Sequence, residues 1–303
     1  MSLHELYLVK TPYVFTGISA DVHKTPFTVI GIPLDSSSSF RGGSRFAPAK
    51  IRQVSASLEL YCLSVDIDLE KVLVHDAGDI AIVHGNIETS LRRVELVIGE
   101  LAKHRKLLVI GGEHIITYGA IKGIGRDTKI IVLDAHADMR YEYLGYKLSH
   151  ACTIRRIIET VGVENVMLVG PRAFSSEELE FIRKSGVKLI TTYAIRSLGI
   201  REVVRRIDDF LENAKNVYVS IDMDVFDPAY APGVQTPEPD GLAPWQVFTL
   251  LTRILDERVT ILDIVEVTPP YDPSDITSFL AAKLLIEAAC KVYKSLRAKE
   301  QAL

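Results

Sequence analysis

Eight short runs dense in Val, Ile and Leu punctuate the chain, and the stretches between them carry apolar residues at helical spacing. The runs begin near Thr28 (TVIGIPL), Val72 (VLVHD), Leu107 (LLVIGG), Lys129 (KIIVLDA), Asn165 (NVMLVG), Val187 (VKLITT), Asn216 (NVYVSIDMD) and Val259 (VTILDIVEV). Most are continuously apolar rather than alternating, which is the pattern of strands covered on both faces. Helices are predicted between them over 87–103, 153–161, 176–185, 200–212 and 244–256. The last opens on Pro244, at a first-turn position where the missing N–H costs nothing. Alternating strand and helix predicts an α/β fold with a mostly parallel sheet and helices on both faces. A further helix is predicted over 278–296; its apolar residues cover more than one narrow stripe, so it is expected beneath the sheet or at a subunit contact. No repeat, linker or compositional break divides the chain, and 1–303 is expected to be a single domain.

Composition narrows the function. With 303 residues and 48% apolar content, a large core forms without covalent staples. Lys plus Arg number 35 and Asp plus Glu 39, a net charge of −4 that gives no electrostatic footprint for nucleic acid or an anionic membrane. Cys62, Cys152 and Cys290 lie far apart, which excludes a disulfide framework or a thiolate zinc knuckle and suits small buried residues in a reducing interior. No apolar run reaches the roughly 18 residues of a membrane helix, and no basic-then-apolar leader opens the chain, so a cytoplasmic location is expected. Asn and Gln together number eight and Met four. That scarcity of heat-labile side chains points to a thermophile.

The chemistry collects where apolar runs stop. In a parallel sheet, ligands bind at the carboxyl ends of the strands, where loops converge. One run ends in Gly111-Gly112-Glu113-His114, the next in Asp134-Ala135-His136-Ala137-Asp138, a third in Asp222-Met223-Asp224, and a fourth at Glu266. Alternate residues of an extended segment share a face, so Asp134, His136 and Asp138 can converge, as can Asp222 and Asp224. Gathering these carboxylates without a cation would be prohibitive, because each loses hydration and all repel. Two imidazoles and four carboxylates exceed one tetrahedral zinc and suit two metals bridged by shared carboxylates. The oxygen-rich, thiolate-free set favours manganese, with cobalt, iron, nickel or zinc as alternatives. Four carboxylates balance two divalent ions, so a bridging hydroxide and Glu266 leave a pocket suited to a cation. The Gly42-Gly43 loop lacks the lysine of a phosphate cradle.

These segments resemble the ureohydrolase family of arginases and agmatinases. The likeness rests on Gly-Gly-Glu-His (111–114), Asp-Ala-His-Ala-Asp (134–138), Ser-Ile-Asp-Met-Asp-Val-Phe-Asp-Pro (220–228) and Asp-Ile-Val-Glu-Val-Thr-Pro-Pro (263–270). Their order and spacing cover nearly the whole chain. The resemblance implies a three-layer αβα fold with an eight-stranded, mostly parallel sheet and two manganese ions at its edge. It implies that His114, Asp134, Asp138 and Asp222 hold one metal, that Asp134, His136, Asp222 and Asp224 hold the other, and that a metal-bridging hydroxide attacks a guanidinium carbon. Glu266 is then expected to orient the guanidinium, Asp138 to pass a proton to the leaving amine, and His150 to shuttle protons. The family commonly forms homotrimers or hexamers.

The resemblance also bears on the substrate, a small cationic guanidino compound. Arginases carry Asn and Ser side chains for the amino-acid head where this chain has Arg140, Tyr146 and Leu148. The segments 231–239 and 269–272 look more like agmatinases, so agmatine, giving urea and the polyamine precursor putrescine, is the first expectation. Arginase, guanidinobutyrase and formimidoylglutamase activities are the alternatives, Arg140 being available to a carboxylate. Val234-Gln235 and Ala151 depart from the agmatinase pattern, and Gln235 is expected to narrow or line the pocket. A non-catalytic assembly protein stabilised by its metals is the alternative of another class.

Overall fold

The computed structural model describes residues 3–302. Its strands are β1 (Leu8–Val9), β2 (Phe27–Ile32), β3 (Tyr61–Cys62), β4 (Ile67–Asp68), β5 (His75–Ile80), β6 (Lys106–Gly111), β7 (Thr128–Leu133), β8 (Val166–Val169), β9 (Lys188–Ile190), β10 (Asn216–Asp222) and β11 (Val259–Val265). All but β3 and β4, which pair as a small hairpin, form one sheet in the order β1-β5-β2-β6-β11-β10-β7-β8-β9. The eight expected parallel strands are present. A ninth, β1, adds two residues antiparallel to β5 at the edge and is too short to leave a periodic signal.

The sheet is buried on both faces, as continuous apolar runs require. Helices Ala47–Ser55, Ile200–Leu211, Pro244–Ile254 and Ile276–Ala302 pack on one face, and Ile87–Leu101, Ile115–Ile124 and Thr153–Val161 on the other. The result is the three-layer αβα arrangement. The C-terminal helix runs through the core with Leu284, Leu285, Ala288, Ala289 and Cys290 sealed from solvent, which explains its broad apolar surface.

One strand lies elsewhere than its apolar run suggested. Val72 ends a short helix (Leu69–Val72), and β5 instead spans the polar sequence HDAGDI. Its carboxylates are held by the fully buried Arg52, whose Nε lies 2.8 Å from Asp76 and whose Nη1 lies 2.6 Å from Asp79. A charge partner 24 residues upstream in sequence replaces the apolar burial that the pattern sought. Helices Ala47–Ser55, Ile115–Ile124 and Thr192–Leu198 were also absent from the expectations.

The topology matters most at the centre. Strands β6, β11, β10 and β7, scattered through the sequence, are four consecutive neighbours. Their ends are nearly level, with Ile110 opposite Ile264, Val265 opposite Asp222, and Ile221 opposite Leu133. Every strand-end group singled out in the sequence therefore leaves the sheet on one rim.

Candidate metal centre

His114 follows β6 across Gly111-Gly112, where the backbone passes so close to Leu34 that a Cβ on Gly112 would sit 1.9 Å from its carbonyl oxygen. The imidazole is fully buried. Its Nδ1 lies 3.1 Å from Asp134 Oδ2, 3.3 Å from Asp138 Oδ2 and 3.3 Å from Asp222 Oδ2. None of these contacts is aligned as a hydrogen bond, and Nδ1 and Asp134 Oδ2 have no hydrogen-bond partner. A ring nitrogen facing three carboxylate oxygens, with buried atoms unsatisfied, is the arrangement a cation completes.

A second group adjoins the first. His136 Nδ1 lies 2.8 Å from Asp224 Oδ2 and 3.8 Å from Asp134 Oδ1. The two sets with metal-ligand spacing are His114, Asp134, Asp222 and Asp134, His136, Asp224, so Asp134 is common to both, offering one oxygen to each. Its backbone neighbours fix the set: the His136 N–H donates to Asp134 Oδ1, the Ala135 N–H to Asp224 Oδ1, and the Asp224 N–H to Asp222 Oδ1.

The ligand residues converge partly for a reason other than strand alternation. Asp138 adopts φ 50° and Asp224 lies in a 3-10 turn, Met223–Val225, so backbone turns aim both side chains. Glu266 likewise has φ 67°. Such conformations are costly for residues with a Cβ and concentrate at functional sites.

The electrostatics reflect crowding. Burial, then the charges of Asp224 and Asp138, push the Asp134 carboxyl up to about 7. Burial and the neighbouring Asp224 and Asp134 also raise Asp222 well above the carboxylate range. Burial alone would lower both imidazoles, but the surrounding carboxylates outweigh it, raising His114 well above its usual value and His136 to about 10. Burial of Asp224 is outweighed in the same way by His136, which holds that carboxyl at about 2. Protons thus gather where positive charge is wanted, as expected of a site suited to cations.

The ligands open into a cleft of roughly 270 Å3 lined also by Glu266, His150, Arg140, Tyr143 and Ser175. Glu266 Oε1 accepts the His114 backbone N–H at 2.7 Å, while Oε2 is buried without a partner. Ser37 donates its hydroxyl proton to Glu113, so it can only accept from the His150 backbone N–H and from Nδ1, 3.2 Å away. That assigns the proton of a neutral His150 to Nδ1 and leaves Nε2, 3.4 Å from Ser39 Oγ, as the proton acceptor. Gln235 does not line the cleft. It is buried, pointing its Nε2 at Ser44 Oγ, because the loop turns its side chain inward and presents Thr236 instead.

Several supporting residues were not picked out from the sequence. His114 Nε2 lies 3.1 Å from Ser220 Oγ, which lies 3.4 Å from Thr117 Oγ1, which donates to the buried Asp263. Asp263 and Ser220 interrupt otherwise apolar strands, and that interruption was the available signal. Arg172 donates to the carbonyls of Asp224, Phe226, Glu238 and Pro239, tying the loop after β10 to the cleft wall.

A rim of imidazoles and carboxylates with shared-ligand spacing, at the carboxyl ends of the central strands of a three-layer αβα fold, defines a hydrolase of the ureohydrolase class with a candidate metal centre. The chain belongs to the Arginase family, whose sequence profile matches residues 25–290. It is similar to an agmatinase of Halalkalibacterium halodurans, 36% identical over 280 residues covering 90% of this chain and 94% of that one. It is also similar to the N(1)-aminopropylagmatine ureohydrolase of Thermococcus kodakarensis, 34% identical over 86% of this chain and 89% of the relative. The crystal structure of the agmatine ureohydrolase of Thermoplasma volcanium superposes with a TM-score of 0.86 at 36% identity, covering 94% of this chain and 97% of that one.

Proposed function

We propose that this chain hydrolyses agmatine to urea and putrescine at a centre for two divalent cations, manganese before cobalt, iron, nickel or zinc. The observation that carries the reading is His114 Nδ1, unpaired among the oxygens of Asp134, Asp138 and Asp222, beside a second set that shares Asp134. In this reading His114, Asp134, Asp138 and Asp222 hold one ion, and Asp134, His136, Asp222 and Asp224 the other. When bound, the ions neutralise the carboxylates and activate the attacking water.

The chain's own groups do the rest. Glu266 is pinned through Oε1 by the His114 N–H, so its unpartnered Oε2 accepts a guanidinium N–H and holds the reacting carbon toward the ligands. Burial, Asp222 and Glu113 raise the Glu266 carboxyl well above its usual value, and a guanidinium supplies the positive charge that ionises it. Asp138, at the cleft floor, transfers a proton to the nitrogen of the departing amine. His150 Nε2 exchanges protons with solvent along the cleft.

The agmatinase and agmatine ureohydrolase among its relatives support agmatine over arginine. So does the cleft lining, which holds no side-chain amide for an amino-acid head. A guanidino acid is the second reading, favoured by Arg140, which has no ion pair among the described residues. The fold supports a single domain. A homotrimer or homohexamer is proposed by family resemblance, and a cytoplasmic location agrees with the absence of any described helix long and apolar enough to cross a membrane.

Urea release from agmatine, arginine, 4-guanidinobutyrate and formimidoylglutamate, with manganese-loaded protein, tests the reading. Highest kcat/KM on agmatine among these four supports it, and highest kcat/KM on 4-guanidinobutyrate selects the second reading. No turnover of any of them favours a non-catalytic assembly role.

A further inference from the structure

His150 is held by a buried hydrogen-bond chain that starts at the residue next to a candidate metal ligand. Glu113 precedes His114 and is fully buried. Its Oε1 accepts the Ser37 backbone N–H at 2.6 Å, with Ser38 Oγ 3.0 Å from the same oxygen, and its Oε2 accepts the Ser37 hydroxyl at 2.8 Å. Ser37 Oγ in turn accepts the His150 backbone N–H at 3.0 Å and faces the ring at Nδ1, 3.2 Å away. The other oxygen near Nδ1, Ser149 Oγ, lies at 3.5 Å, beyond an ordinary hydrogen bond. The Tyr143 ring packs against the imidazole with centroids 5.8 Å apart and planes at 82°, which limits rotation of the imidazole.

The direction of this chain is set at a group that cannot reverse. A backbone N–H only donates, so Glu113 Oε1 is committed to Ser37 N and Oε2 is left for the hydroxyl. With its one proton on Glu113, Ser37 Oγ can only accept from the imidazole. A neutral His150 therefore carries its proton on Nδ1 and turns the Nε2 lone pair to the cleft that its side chain lines. A hydroxyl free to rotate would donate to Nδ1 as readily as accept from it, and an imidazole with its proton on Nε2 cannot take up another there. A base oriented by a third group recurs wherever side chains transfer protons. Here that group acts through a serine, and neither Ser37 nor Glu113 lines the cleft.

We propose that Ser37 and Glu113 are positioning residues for proton transfer at His150, holding Nδ1 protonated so that Nε2 is open to the cleft. This rests on the reading of the chain as a ureohydrolase in which His150 moves protons. Only Nε2 exchanges: a proton taken from the cleft bonds there, giving the imidazolium, and leaves from the same nitrogen to solvent water. The Nδ1 proton and the Ser37 hydroxyl proton stay in place, and none passes to Glu113. Because Glu113 and His114 are consecutive, one short turn after β6 supplies both a candidate metal ligand and the anchor of the proton shuttle.

The test measures kcat and KM for urea release from the best of the four guanidines, using the full manganese-loaded chain and its S37A, S37T, E113Q, H150N and S37A/H150N variants, each with its manganese content determined. H150N should lower kcat by about 100-fold, the lower end of what a positioned acid–base group contributes. S37A should lower kcat by about tenfold at unchanged KM and metal content, since it misorders the imidazole without removing it, and S37T, which keeps the hydroxyl, should recover most of that. In E113Q the Ser37 backbone N–H holds the amide oxygen, so the amide nitrogen donates to Ser37 Oγ and turns the hydroxyl toward Nδ1; kcat should fall about as far as in S37A. In S37A/H150N the two effects should not multiply, and kcat should stay within about twofold of H150N. Wild-type kcat in S37A or E113Q, or an S37A effect of the same factor in H150N as in wild type, would overturn the positioning role while leaving the hydrolysis standing. Wild-type kcat in H150N would overturn the shuttle and the relay together, and no urea from any guanidine would overturn the underlying reading and the relay with it.

Discussion

Removing the Ser220 hydroxyl should loosen the metal proposed to bind His114 before it affects anything else. The direction follows from proton bookkeeping along a buried chain. Thr117 donates its one hydroxyl proton to Asp263 at 2.6 Å, so toward Ser220 it can only accept. Ser220, with the Thr117 oxygen and the Asp263 carboxylate as acceptors for its own proton, accepts from His114 Nε2, 3.1 Å away. In the metal-binding form the one remaining His114 proton is thereby held on Nε2, and Nδ1, facing the Asp134, Asp138 and Asp222 oxygens, is free for a cation. In Ser220→Ala, Nε2–H loses its acceptor in a fully buried position, so the form of the imidazole that keeps its proton on Nε2 and offers Nδ1 to a cation is disfavoured. Outer-shell groups that orient a metal-bound histidine contribute about 10- to 100-fold in affinity, which is about 1.4–2.7 kcal/mol. Manganese should be measured by elemental analysis after equilibration at graded free metal, set with a competing chelator. The expected result is one ion lost at free manganese that keeps wild type fully loaded, with the second ion, on the His136 side, retained to lower concentrations. Two ions bound with wild-type affinity, or both lost together with secondary structure intact, would refute the relay.

Three further outcomes follow from the same geometry. Asp134→Asn should bind neither ion tightly and release no urea, because Asp134 offers an oxygen to each ligand set; elemental analysis and a urea assay check this, and retained turnover contradicts the shared role. Glu266→Gln should keep its metals while kcat/KM falls by about 10- to 1000-fold through loss of a charge-assisted contact to the guanidinium; emptied metal sites would show that Glu266 is not primarily a substrate contact. Chelated protein should lose stability as pH rises, because Asp134 is raised to about 7 and His136 to about 10, so the folded state binds protons that the unfolded chain releases. Asp134's contribution is full below about pH 4 and gone above 7, and His136's fades between about 6.5 and 10. Thermal melts with and without metal between pH 6 and 9 should therefore show a gap that widens with pH, and a constant or shrinking gap would contradict the assignment of these protons to the empty ligands.

What could be read in the sequence and what could not separate along one physical line. The candidate ligands were legible because their demand is local and severe: Asp134, His136, Asp138, Asp222 and Asp224 gathered at buried strand ends call for a cation, whatever the rest of the fold does. Groups satisfied by distant partners were misread or passed over. The strand at HDAGDI was sought on the apolar run just before it, because only Arg52, on a helix packed against the sheet, neutralises its two carboxylates. Ser220 and Thr117 read as incidental until β10 and the helix after β6 bring them within hydrogen-bonding distance. The shape of the cleft wall was the least legible feature, since it depends on where a loop places Tyr143. Leu144 at φ 51° and Gly145 at φ 83° close a tight turn in which Tyr143 and Tyr146 exchange backbone hydrogen bonds of 2.9 Å. That turn leaves Leu144 and Tyr146 largely exposed and sets Tyr143 in the cleft wall. A non-glycine residue in a left-handed conformation has no strong sequence signature. The chemistry of bond cleavage was thus encoded in residue types at strand ends, whereas the choice among guanidines depends on backbone angles that residue types leave open.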